Sequence, residues 1–446
     1  MSPQSRIVTD SARADNARIA RPAEGYVASY YAASARPVVE RPVLDCDVDA
    51  DVCVIGGGFT GISAALHLAE RGYSVVVLEA ERVGWGASGR NGGHVGVGQR
   101  KSQPDLEATL GDDLARTLWE FSVESVELVR NLVHGHDINC DWKEGILHVA
   151  AKPSHVAHLR SEAAHLREKY GYEQIRFVQK SETDQMLGSD KFHGGQLDSG
   201  SAHLHPLNYI LGLARTAENA GARIFEHSRV ESFTRDESPT VRTASGVVRA
   251  KYVVFGCNAY LGRLNSRMAA DIMPINNFML ATEPLTDADA KSLIRDDVAV
   301  QDSLFVINYW KLSGDNRLLF GGGENYSSRF PADIKAFVRK YMLRIYPQLS
   351  RTRIDYGWGG TLAITLNRLP SFGRLADNVF FAQGYSGHGI TTGTMAGKML
   401  AEVVSGTAER FDVMASLPVK RFPGGMHLRW PGLVLGMLYY SMLDKF

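Results

Sequence analysis

One stretch, "DVCVIGGGFTGISAALHLAERGYSVVVLEA" at residues 51–80, restricts the fold more than any other. Val52, Val54 and Ile55 make a short apolar strand, Gly56-x-Gly58-x-x-Gly61 supplies a turn, and Ile62, Ala65, Leu66 and Ala69 recur at the spacing of one helix face. Gly72 stops the helix, a second strand runs from Val75 to Leu78, and Glu79 follows eighteen residues after the third glycine. In that order these features predict the first unit of a doubly wound parallel sheet that holds a dinucleotide. Gly56 permits the tight turn, Gly58 lets a diphosphate reach the backbone, Gly61 lets the helix pack on the strand, and Glu79 accepts hydrogen bonds from ribose hydroxyls. A chance glycine turn in an α/β protein would explain one of these features but not the set.

The next residues bear on which dinucleotide. A unit that binds NAD returns to a helix soon after its second strand, whereas this chain continues as "AERVGWGASGRNGGHVGVGQ" at 80–99, dense in glycine. Such a path suits backbone running along an extended cofactor such as a flavin, with Ser88, Arg90 and Asn91 available for polar contacts; a flexible surface loop is the alternative. A second turn of small residues, "QGYSGHG" at 383–389, opens the helical pattern "ITTGTMAGKMLAEVV". A glycine-rich helix start presents unpaired N–H groups and the positive end of the helix dipole to an anion or a polarised ring.

Charge excludes one class of partner. Lys plus Arg and Asp plus Glu both number 49, so there is no basic field for nucleic acid. Cys46, Cys53, Cys140 and Cys257 are scattered without a CxxC pair and read as reduced thiols of a cytoplasmic protein. His203 and His205 lie two apart on one side of an extended segment, but no third ligand completes a metal set. No apolar run reaches the roughly 18 to 20 residues of a transmembrane helix. The segment "GLVLGMLYYSML" at 432–443 is too short to cross and reads as a homodimer-facing helix or a weak membrane contact. The first 25 residues carry Asp10, Asp15 and Glu24 without an apolar signal core and read as a mobile extension, with a transit peptide as the minority reading.

The order and spacing of "SYYAAS" (29–34), "GASGRNGG" (86–93), "HPLN" (205–208), "NAYLG" (258–262), "DNRLLFGGG" (315–323) and "GYSGHG" (384–389) resemble the FAD-dependent amine and amino-acid oxidases of the D-amino-acid oxidase and sarcosine oxidase superfamily. The resemblance covers nearly all of the chain beyond its first 25 residues. It implies an α/β protein: a Rossmann-like FAD-binding domain (46–100, 186–265 and 356–415) interleaved with a smaller α+β substrate domain (101–185 and 266–355) built on a mostly antiparallel sheet. An N-terminal extension (1–45) and a C-terminal tail (416–446) flank them. It implies FAD contacts from Gly56, Gly58, Thr60 and Gly61 in the first turn, and from Glu79, Ala80 and Arg82 after the second strand. Further contacts come from Gly86, Ala87, Ser88, Arg90, Asn91, Gly92, Gly93 and His94 along the glycine-rich path, from Val230, Cys257 and Asn258, and from Gly384, Ser386, Gly387, His388, Gly389 and Ile390 over the flavin ring.

The implied reaction oxidises a primary or secondary amine, gamma-glutamylputrescine foremost, to an imine, with oxygen reduced to hydrogen peroxide. An apolar, aromatic pocket favours the neutral amine by penalising the ammonium. Tyr309 and Trp358 are the aromatic candidates and His388 a candidate to tune the flavin, although each also reads as packing; Trp310 is the weaker aromatic candidate. Two departures stand out. The segment in which sarcosine oxidases attach flavin through cysteine reads "YGWGGTLAITLNRLPSFG" here, which predicts non-covalent FAD. Where those enzymes carry an oxygen-activating lysine, this chain has Asn276 and Asn277. An amine dehydrogenase passing electrons to a carrier therefore stays open, as does a flavoprotein that holds FAD for structure alone.

Overall fold

The valine-rich segment Val75–Leu78 is buried at every position, the mark of a strand covered on both faces. In the computed structural model, which describes residues 23–37, 39–325 and 329–423, it belongs to a sheet whose five central strands run parallel. Their order is Val379–Gln383, Val247–Phe255, Asp47–Ile55, Val75–Leu78 and Arg223–Phe225. Ser371–Ala376 adds an antiparallel edge. Pairing of Val52 with Val75 and Ile55 with Leu78 brings Gly56 and Glu79 to the same end of the sheet.

The second sheet runs Ile354–Ile364, Met273–Thr282, Leu318–Asn325, Tyr309–Leu312, Ala299–Asp302, Lys143–Val149, Gly195–His203 and His94–Val95, with Ile175–Val178 also on Gly195–His203. Its pairs are antiparallel except Ala299–Asp302 with Lys143–Val149. The chain therefore alternates between a parallel and a mostly antiparallel sheet, the interleaved α/β architecture read from the sequence. Gly195–His203 and Ile354–Ile364 both belong to the second sheet, the one beside Lys143–Val149 and the other beside Met273–Thr282. The strand that precedes Val230 ends at Phe225. Its successor Glu226 leaves the sheet to bind two arginines.

The helices Phe59–Ala69, Pro206–Asn219 and Thr391–Val404 pack against one another over the parallel sheet, and Asp112–Gly135 lies against Thr391–Val404. A Cβ at Gly397 would come 2.5 Å from both Thr60 O and Ser63 Cβ, so this glycine sets how closely the first and last helices approach. Ser63 Oγ seals that contact by donating to Thr394 O at 2.7 Å. The second sheet has its own core, in which Trp310 is stacked between Phe192 and Phe320 and donates to the Tyr346 hydroxyl. Trp310 is thus core.

Residues 23–45 are held to the first sheet by buried charge. Glu226 accepts from Arg41 Nη1 (3.2 Å), Arg82 Nε (3.1 Å) and Val83 N (2.9 Å), and Arg82 Nη1 donates to Glu24 O at 2.7 Å. Arg82, expected at the cofactor, is consumed by this network. The "HPLN" turn is explained by His205, the cap of Pro206–Asn219: its Nδ1 accepts from Asn208 N at 3.1 Å while Nε2 bonds Ser34 Oγ at 3.1 Å. The first 22 residues and the apolar segment 432–443 lie outside the described residues. No described helix is long and apolar enough to cross a membrane.

Two expectations follow. Glu226→Ala leaves Arg41 and Arg82 buried without their shared carboxylate and should cost about 3–5 kcal/mol in urea unfolding; a loss below 1 kcal/mol would show the network to be idle. Burial, then the nearby Lys311 charge, hold His205 down at about 3, against about 6.5 in an unfolded chain. Between those values the unfolded state binds the extra proton, so stability falls as pH falls through about 6.5. His205→Asn keeps a capping oxygen and should reduce the loss of melting temperature between pH 7 and pH 5; an unchanged slope counts against the neutral cap.

Candidate active site

At the C-terminal end of the parallel sheet, Gly58, Gly256 and Asn258 line a cavity of about 620 Å³. Its position follows from the turn chemistry. A Cβ at Gly61 would stand 1.9 Å from Gly56 O, and one at Gly56, whose φ is +108°, would stand 3.0 Å from the Gly256 carbonyl. The ends of two neighbouring strands and the start of a helix thus meet with no room for side chains. Phe59–Ala69 begins there with Gly58 as a cap that makes no side-chain hydrogen bond; Ser88 Oγ takes the Phe59 N–H at 3.1 Å. Thr391–Val404 begins at the same cavity behind Ile390, which likewise caps nothing. Two positive helix ends therefore share one cavity.

Of the residues singled out in the sequence, Gly58, Thr60, Ala87, Ser88, Arg90, Asn91, Gly92, His94, Asn258, Asn277, Tyr309, Ser386, Gly387, His388, Gly389 and Ile390 line this cavity. The others do not. Gly56 and Gly61 build the turn beneath it, and Gly384 N donates to Asn258 Oδ1 at 2.9 Å to tie two strand ends together. A Cβ at Gly86 would press on the Tyr260 ring and one at Gly93 on Leu204 O. Cys257 points back, its thiol on Ile55 O at 3.3 Å and pushed up to about 12 by burial. Ala80 and Val230 lie away from the cavity, and Arg82 is engaged by Glu226. Glu79 accepts from Gly57 N at 2.6 Å and Glu81 N at 2.9 Å, so its carboxylate lies directly beneath the glycine turn. Burial raises its pKa, against the two backbone bonds.

Trp358 is corrected. It is buried behind the wall, edge-on to Tyr31, and its Nε1 donates to Arg90 O at 3.0 Å. Farther along the same strand, Gly360–Ile364 line the cavity. Trp358 is a support for Arg90. The Arg90 guanidinium lies 4.1 Å from the Trp85 ring, donates through Nε to Trp85 O at 2.7 Å, and has a buried Nη2 with no hydrogen-bond partner.

The remaining walls come from the second sheet. Tyr309 donates its hydroxyl to Asn277 Oδ1 and stands edge-on to His94, with a Cβ at Gly92 excluded by its ring. Burial holds His94, His148 and His388 down at about 4, so all three are neutral imidazoles at physiological pH. Lys311, on the same strand as Tyr309, is buried beneath the Gly92–Gly93 turn, held down to about 8 by burial, and donates to Leu204 O at 2.7 Å. Among the described residues no group of three potential metal ligands forms. Gln301 and His148 reach the cavity without any sequence signal, because strand register aims them there.

The comparisons agree with this geometry. A family model described as FAD dependent oxidoreductase matches residues 51–403. Gamma-glutamylputrescine oxidoreductase of Escherichia coli (strain K12) is 41% identical over 421 residues, covering 94% of this chain and 99% of that protein. Among solved structures, glycine oxidase from Geobacillus kaustophilus superposes with a TM-score of 0.70 at 22% identity, covering 84% of this chain and 100% of that one. L-proline dehydrogenase from P. horikoshii superposes with a TM-score of 0.68 at 21% identity, over 82% and 96% of the two chains. With a family match across both sheets, and with the glycine turn, both helix starts and the second-sheet wall around one cavity, the chain belongs to the FAD-dependent oxidoreductases.

Proposed function

We propose that this enzyme oxidises the terminal amine of gamma-glutamylputrescine or a near relative, with oxygen as electron acceptor, and that its FAD is non-covalent. The observation that carries the reading is the shared cavity, with two positive helix ends on one side and the Tyr309–Asn277 pair and neutral histidines on the other. The residues fit FAD. Arg90 lines the cavity, and its buried Nη2 lacks a hydrogen-bond partner. A Cβ at Gly389 would meet no protein atom within 4 Å, so no protein neighbour demands a small residue there, whereas a flat ligand against the backbone would. None of the four cysteines lines the cavity, which supports non-covalent binding.

Gly58, Ser88 and Arg90 would hold the diphosphate side, Glu79 the adenosine ribose, and Ser386 to Ile390 the ring. FAD, when bound, would supply the acceptor for the two electrons and hydrogen that leave the carbon beside a neutral amine, so that the resulting imine could hydrolyse to an aldehyde and ammonia while oxygen is reduced to hydrogen peroxide. The chain's part is to seat that amine. The Tyr309 oxygen donates to Asn277, so toward a substrate it acts as an acceptor for an amine N–H. His94 and His388, held neutral, add no positive charge to oppose an incoming amine. A second reading, transfer to a carrier instead of oxygen, is favoured by Asn276 and Asn277 on the Met273–Thr282 strand and by Lys311 standing outside the cavity wall.

Acid precipitation should leave FAD in the supernatant; flavin that stays with the pellet would overturn non-covalent binding. Gly58→Val, whose Cβ alone would come 2.9 Å from Ser88 Oγ, should yield colourless protein, and wild-type FAD affinity in that variant would remove the turn from the diphosphate site. With gamma-glutamylputrescine the enzyme should produce peroxide. Dye reduction without peroxide would select the carrier reading, and no flavin reduction by any amine would sink both. Tyr309→Phe removes one neutral hydrogen bond, about 0.5–1.5 kcal/mol, and should lower kcat/KM roughly two- to tenfold; an unchanged value would take Tyr309 off the substrate.

A further inference from the structure

A row of basic side chains runs from the cavity toward the surface. His94 lines the cavity. In the second sheet it pairs with His203, and His203 pairs on its other side with Lys143. Residues directly opposite on antiparallel strands share a face, so the three side chains stand in line. Lys143 ends the row in an ion pair with Asp297, both half-buried. Between the two ends His203 is wholly buried. Its Nε2 donates to Asp297 O at 2.8 Å, which leaves Nδ1 as an acceptor, and Nδ1 meets no donor among the described residues. Asp297 Oδ1 is likewise buried without a partner. Lys311 completes the cluster. It shares a strand face with Tyr309, and its Nζ, which donates to Leu204 O at 2.7 Å, lies 3.2 Å from where a Cβ of Gly93 would be. Leu204 follows His203 in the chain, and its N–H closes the same corner on Gly93 O at 2.8 Å.

We propose that this row is a proton exit, through which the proton that a bound ammonium must lose passes from His94 by way of Lys311 and His203 to the Lys143–Asp297 pair. The inference rests on the amine-oxidation reading and adds a step that reading requires: an amine arrives as its ammonium, and only the neutral form gives up the neighbouring hydrogen. In that step one N–H bond of the ammonium breaks, its electron pair stays on nitrogen, and the proton moves to the ring of His94. No oxidant or reductant is involved. His94 has a place for the proton. Its Nε2 lies 3.2 Å from Val300 O and its other edge meets the Gly92 backbone in a bond that favours the charged ring, so the imidazolium satisfies two acceptors where the neutral ring satisfies one. Burial opposes that charge, which makes His94 a carrier and not a store. Lys311 is the better resting place: burial holds it down to about 8 against the nearby Asp141 carboxylate, with Lys143, Asp297 and Cys140 as its further neighbours. Burial, then the charges of Lys311, His94 and Lys143, keep His203 neutral against its bond to Asp297 O, so its free Nδ1 stays ready to accept. His205 also feels Lys311, but its ring is engaged by Ser34 and Asn208.

Stopped-flow reduction of the FAD-loaded enzyme by saturating gamma-glutamylputrescine, without oxygen and in weak buffer, reads the exit. In the wild type the limiting rate should rise with pH through about 8, as Lys311 loses its proton and can take another, and should be indifferent to added imidazole. Lys311→Met, His203→Ala and Asp297→Asn each interrupt the row and should slow reduction roughly tenfold to a hundredfold. Imidazole, as an external base, should restore most of the lost rate, and Lys311→Met should also lose the rise near pH 8. Asp297 is half-buried at the surface end, so its variant decides the matter if the two buried replacements do not fold. Rates with and without imidazole are compared within one preparation, so a general loss of folded enzyme does not mimic rescue. Wild-type rates in the folded variants, or slowing that imidazole relieves in none of them, would overturn the exit and leave amine oxidation standing. No reduction of the wild-type flavin by gamma-glutamylputrescine or any other amine would overturn the amine reading and this inference with it.

Discussion

The structure turns on a backbone contact that admits no side chain. Where Asp47–Ile55 and Val247–Phe255 end, the carbonyl of Gly56 lies where a Cβ of Gly61 would be, and Gly56 in turn abuts the Gly256 carbonyl. This closeness lets the Phe59–Ala69 helix start directly at the sheet edge, and Gly397 then lets the Thr391–Val404 helix lie against it within van der Waals reach of Thr60 and Ser63. Two helix dipoles end at one place because three backbones are permitted to meet. Larger residues at these positions would push the helices apart and dissolve the cavity before any ligand entered it.

The second sheet supplies what the first lacks. Parallel strands buried on both faces carry almost no functional side chain of their own, so polar chemistry enters from strands that run past the cavity and aim alternate residues into it. Tyr309 points at Asn277 while its neighbour Trp310 points into a separate core between Phe192 and Phe320. Trp358 lies buried behind the wall, where it donates to Arg90 O. Charge is sorted in a comparable way: Arg82 and Arg41 are neutralised in a buried cluster with Glu226, whereas Arg90 keeps an unpartnered nitrogen.

Much of this was legible in the chain itself. The first strand, turn, helix and second strand are local: apolar periodicity and glycine spacing specify them without help from distant residues, and Val75–Leu78 and the helix starting at Phe59 match their reading. The glycine-rich paths at 86–94 and 384–390 also announced a cavity wall, since runs of small residues are kept where backbone meets something closely. The resemblance implied an FAD contact from Arg82 and an aromatic pocket role for Trp358, whereas Arg82 donates to Glu226 and Trp358 to Arg90 O, partners that lie far off in the chain.

The sequence by itself determined the fold class, the family and the segments that line the cavity, because those depend on local periodicity and on glycines whose steric need is written at each position. Tertiary structure decided which residues face the cavity and in what state. Strand register chose Tyr309 over Trp310, and burial held His94, His148 and His388 neutral. Orientation and protonation depend on neighbours remote in the chain, whose approach no local pattern encodes.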